Sequence, residues 1–423
     1  MRISFVFLAQ AYLVLSFVGD YSEGLLGGLP IVLLGDTALV GVILYALAKS
    51  KLRRELRWLL LMMTLSLAGM LLNFRYTAGL PLVVQSRALF MFVTTVFFYF
   101  FAFSRLGTDR LLKVGRFLEL VLKINILVIL VEGLLGNFWT YQLQPDLFTL
   151  FSDQGYRIQP HPVIFSVVPN GLVFGIQHAS ILAVMGVFTW FPWRGRIGMR
   201  RTRFFWLLAS VVAWGLTVTG TSVVVFVVVF LAITYTGLLK RNTALFISAS
   251  AFLTFYTRQS FEGLVRARYS GSSIGDIGEF FDRTLEIYLQ PLSIMPDHIL
   301  EALFGAGHLT EFTTQYSPLL SAITHADFGL LVTAAQFGII LGLILTAAYL
   351  VSLIKIWTRV RRRTLNSEVS ERAMVLGAVG LVLTLSMVHY TTLLQSGPTQ
   401  YFAASLALSY FLVRPQVSRA IER

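Results

Sequence analysis

The chain contains no cysteine. Disulfides, thiolate-bound metals and cysteine-held iron–sulfur clusters are therefore excluded. Charge is scarce as well. Asp, Glu, Lys and Arg make up 13% of the 423 residues, against 56% hydrophobic. A soluble domain carries about 25% charged residues, so the composition points to lipid. Acid is scarcer than base, 21 residues against 34, for a formal net charge of +13. Familiar catalytic motifs are missing too. There is no GxxxxGK[ST] phosphate loop, no DxD pair of the kind that holds a metal and a nucleotide sugar, and no HExxH. No two histidines lie three or four residues apart on one helix. The sequence marks no cofactor, no metal centre and no nucleotide site.

What the sequence does contain is apolar blocks. Twelve are visible, at 3–19, 25–48, 58–73, 88–103, 117–136, 163–192, 204–219, 221–239, 243–256, 326–354, 374–390 and 400–413. A bilayer crossing needs about 20 apolar residues. The expectation is an all-α, polytopic integral membrane protein with about 12 transmembrane helices. The first block lacks a small-residue cleavage site and runs into "GDYSEG", which argues against a signal peptide.

Charge placement orients the expected helices. Alternate connections are basic: "KSKLRRELR", "SRLGTDRLLKVGR", "WRGRIGMRRTR", "LLKRN", "KIWTRVRRR" with Arg372, and the tail "VRPQVSRAIER". Together with Arg2 they hold 26 of the 34 basic residues. The positive-inside rule puts them, and both termini, in the cytoplasm. The basic charge is then an orientation signal beside anionic lipid, not a nucleic-acid surface. Lys123, inside the fifth block, is expected to snorkel to the interface.

The opposite face carries seven basic residues, all arginine: Arg75, Arg87, Arg157, Arg258, Arg266, Arg268 and Arg283. Arginine offers a planar fork that pairs bidentately with phosphate or carboxylate. External arginines thus suggest an anionic substrate, although lysine is scarce throughout the chain. Two external connections are long, one from 136 to 161 and one from 257 to 324. The second contains "DIGEFFDRTLEIYLQPLSIM", whose apolar spacing predicts an amphipathic helix. "DHILEAL" predicts a short helix, and "FGAGH" a tight turn. The expected domains are 1–256 with nine helices and the first loop, 257–324 as a large periplasmic loop, and 325–423 with the last three helices and a cytoplasmic tail.

Five histidines fall on the external side: His161, His298, His308, His325 and His389; His178 lies inside a block. Imidazole titrates near neutrality and suits acid–base or hydrogen-bonding work. His325 stands where the tenth helix begins. Thr324-His-Ala-Asp327 has the form of a capping box, with Thr324 at the N-cap and Asp327 three residues on. Asp327 then serves free helix amides, and His325 is not needed for that task. Gln336 lies 11 residues further, near the same helical face. Asp36 and Glu132 are costly carboxylates within apolar blocks. Each suits a proton relay or a pairing with a neighbouring arginine. Thr219-Gly-Thr-Ser222 predicts a tight turn between the seventh and eighth helices.

"LFGAGH", followed by "THADFGLLVTAAQFGIILGLIL", resembles the C-terminal signature of the O-antigen polymerase and O-antigen ligase superfamily. "FDRTLEIYLQPLSIMPDHILEALFGAG" is similar to the arginine-bearing helix and glycine turn that precede it. "YRIQPHPVIFSVVPNGLVFGIQHASILAV" resembles an earlier segment entering a membrane helix. The resemblance covers topology throughout and motif detail over 157–183 and 283–345. It implies a GT-C-like membrane glycosyltransferase that uses an undecaprenyl-pyrophosphate-linked oligosaccharide donor and a glycan acceptor at the periplasmic face of the bacterial inner membrane. The family's histidine maps onto His325 and its loop arginine onto Arg283. Arg157, Arg266, Arg268, Arg87 and Asp327 complete the candidate substrate-binding set. No metal is required by this scheme, because arginine forks can hold a departing pyrophosphate. Expected partners are the lipid bilayer, a chain-length regulator and a flippase, with no nucleic acid.

Two departures bear on the branch. Many ligases carry a serine–arginine pair where this chain has Ser222 and Val223. The paired loop pattern of some polymerases is also absent. The "HADFGLL" wording favours a polymerase. A ligase acting on lipid A core or another acceptor is the alternative, and a polysaccharide or lipid transporter is a further one.

Overall fold

The computed structural model describes residues 6–14, 95–135, 176–191, 201–217, 220–235, 293–304 and 396–413, with positions 41, 57, 61, 64, 245, 247–249, 338–339, 347, 351, 354, 358, 375, 378–382 and 386. Among the described residues the main α-helices are α1 (Thr108–Leu135), α2 (Ile176–Trp190), α3 (Arg201–Thr217), α4 (Gly220–Tyr235), α5 (Ile299–Phe304) and α6 (Ser396–Val413). A 3₁₀ turn at Met295–His298 leads into α5. Residues 6–14 and 95–103 are helical as well. Among the described residues there is no strand.

Helix α1 begins nine residues before the apolar block expected at 117–136, inside a stretch read as a basic connection. The pattern explains it. Leu111, Val114, Leu118, Val121, Leu122, Ile126 and Ile129 are buried, at the three- and four-residue steps of one helical face. Arg110, Lys113 and Arg116 occupy the exposed side. Asp109 in the first turn favours the helix dipole. Each fully buried aliphatic side chain contributes about 1.5–3 kcal/mol before entropy is counted.

Helices α1, α2 and α3 form the packed centre. Its closest approach is at Gly186. A Cβ there would lie 2.6 Å from Ile126 Cδ1, 2.7 Å from Ser210 Oγ and 3.0 Å from the Trp190 ring. Trp190 also faces Trp206 with ring centroids 5.8 Å apart. The pairs Gly186–Ser210 and Trp190–Trp206 make α2 and α3 antiparallel. The pairs Ile126–Ser210, through Gly186, and Lys123–Trp206 make α1 and α3 run in the same direction. The Lys123 ammonium sits 5.3 Å from the Trp206 ring centroid, a cation–π arrangement.

Aromatic rings tie on the remaining helices. Phe188 of α2 meets Phe226 of α4 at 5.4 Å, and Phe191 meets Phe230 at 5.4 Å. Two residues separate α3 from α4, so the chain turns tightly. Trp214 Nε1 spans the junction and donates to Ser222 Oγ at 2.9 Å. Helix α6 packs beside residues 95–103 and α1. Gln400 Nε2 donates to Thr95 Oγ1 at 3.0 Å, and Tyr401 Oη donates to the Leu118 carbonyl at 3.1 Å.

The expectation of about twelve transmembrane helices in a GT-C-like arrangement is corrected by these elements. Among the described residues, no helix is long and apolar enough to cross a membrane. Helices α2 and α4 are nearly all apolar, but they have 15 and 16 residues. At 1.5 Å per residue they rise about 22–24 Å, short of a hydrocarbon core about 30 Å thick. Helix α3 has 17 residues and opens on "RTR". Helix α1 has 28 residues but carries charge along most of its length, through Asp109, Lys123 and Glu132 among others. Helix α6 has 18 residues and spends its first turns on "SGPTQY".

A second correction concerns the block 326–354, read as one helix. Gly338 has φ 86°. A left-handed residue cannot lie inside a right-handed helix, so one continuous helix over the block is excluded at residue 338, while residue 339 is helical.

Candidate functional site

The residues assigned to chemistry, His325 and Arg283, lie outside the described residues, as do Arg157, Arg266, Arg268, Arg87 and Asp327. So do Asp36, Gln336, Arg75, Arg258, His161, His308 and His389. The structure describes elements on either side of the candidate site.

Upstream, "MPDHILEALF" folds as the sequence predicts. Pro296 opens the 3₁₀ turn, where its fixed φ and missing N–H are tolerated. Helix α5 follows with Ala302 buried and Ile299 exposed. His298 is half-buried and Asp297 exposed. This short element ends at Phe304, just before "GAGH" in the sequence, which lies outside the described residues. Downstream, the first described residue is the left-handed Gly338, 13 residues after His325 in the sequence.

Ser222 and Val223 form a second region at the start of α4. Val223 is fully buried on α4. The Ser222 hydroxyl accepts from the Trp214 indole. The start of α4 is therefore packed apolar at Val223, and its serine neighbour helps fix the α3–α4 junction.

Buried polar groups cluster elsewhere. Glu132 and Asn125 are fully buried on α1, seven residues apart and so on one helical face. A carboxylate is costly to bury unless polar groups surround it, which makes Glu132 the described residue most suited to proton handling or charge pairing. Thr95 and Gln400 are also buried and bonded to each other. Local pattern carries no signal for this pair, because single uncharged polar residues beside aromatic runs look like helix ends. Four other helical hydroxyls turn back on their own helix. Thr189, Ser210, Thr217 and Thr234 each donate to the carbonyl four residues earlier, at 2.6–2.8 Å.

No family model matches the chain, and no curated protein matches it.

Proposed function

We propose that the protein is a glycosyltransferase of the bacterial inner membrane that polymerises undecaprenyl-pyrophosphate-linked oligosaccharide repeat units on the periplasmic side. The observation that carries this reading is the spacing of Arg283, the "GAGH" turn and His325 in "THADFG". In the reaction, an acceptor hydroxyl oxygen attacks the anomeric carbon of the donor sugar. The bond from that carbon to the pyrophosphate oxygen breaks, and its electron pair leaves with the lipid pyrophosphate. His325 orients the hydroxyl and takes its proton. Arg283 neutralises charge on the departing pyrophosphate, with Arg157, Arg266, Arg268 and Arg87 as further anion contacts. Polymerase is favoured over ligase because Val223 is buried and apolar where many ligases place an arginine.

The test uses membranes containing the full chain and purified lipid-linked repeat units. His325→Ala is expected to abolish polymer while donor binding persists. Arg283→Gln is expected to weaken donor binding or slow pyrophosphate release. Polymer of unchanged length and yield from His325→Ala would remove that residue from the mechanism. A single glycan capped onto an acceptor, instead of a long chain, would indicate the ligase reaction.

A further inference from the structure

No further inference is drawn: the strongest candidate, the side-chain cluster of Glu132 and Asn125 fully buried on one face of α1, restates the proton-handling or charge-pairing role already read for Glu132 from the sequence.

Discussion

Gly186→Ala tests the packing on which the α1–α2–α3 centre rests. The added Cβ would stand 2.6 Å from Ile126 Cδ1, 2.7 Å from Ser210 Oγ and 3.0 Å from the Trp190 ring. Ordinary contact begins about 3.5 Å, so something must move. Ile126 Cδ1 is a terminal methyl and can turn aside. Ser210 Oγ is held to the Trp206 carbonyl at 2.6 Å, and moving it breaks that bond. Overpacking of this kind costs about 1–3 kcal/mol. Alanine regains about 0.8–1 kcal/mol over glycine in a helix interior. The expected net loss is about 0–2 kcal/mol. It is measured by equilibrium unfolding of the purified chain, followed by tryptophan emission, because Trp190 and Trp206 border the contact. Ser210→Ala should be mild alone and should recover much of the loss in the double variant, a coupling of about 1 kcal/mol. A Gly186→Ala chain as stable as the parent or more so, with no coupling to position 210, would refute the close approach of the three helices.

Two further substitutions probe polar contacts. Thr95→Val leaves the buried Gln400 amide without its hydroxyl partner and is expected to cost about 1–3 kcal/mol, whereas Thr95→Val with Gln400→Leu should sit closer to the parent in unfolding midpoint. If the double variant is the less stable of the two, the pair is not a mutual bond. Lys123→Met and Trp206→Leu, combined in a double-mutant cycle, should show a coupling of about 0.5–2 kcal/mol; additive effects would remove the cation–π contact.

Several elements were legible from pattern alone. Helices α2, α3, α4 and α6 fall on or against apolar blocks, and "DHILEAL" was readable as a short helix because proline and periodicity agree there. The early start of α1 was missed because basic residues were read as a loop. They lie on the exposed side of a helix whose other side is apolar. Apolar content overstated membrane crossing among the described residues, since hydropathy registers composition before helix length, and α2 and α4 have 15 and 16 described residues. Gly338 escaped notice because a single glycine in an apolar run gives no sign of its dihedral. The Thr95–Gln400 bond joins residues 305 positions apart, a separation over which local pattern carries no information. Within the candidate site, only the flanks of the expected chemistry can be compared with the fold: α5 before the "GAGH" turn and Gly338 after His325.

The contact between α1 and α6 has a consequence for how the chain is made. Tyr401 bonds the Leu118 carbonyl across 283 residues. At roughly 5–20 residues per second of synthesis, about 15–60 s pass between the emergence of Leu118 and that of its partner. Helices α2 and α3 follow α1 much sooner and can cover one side of it early. The side that α6 will occupy, with Thr95 beside it, stays uncovered for most of translation. A ribosome that stalls before residue 396 therefore leaves a largely assembled but open bundle, and it is this face, not the α2–α3 hairpin, that quality-control factors would meet first.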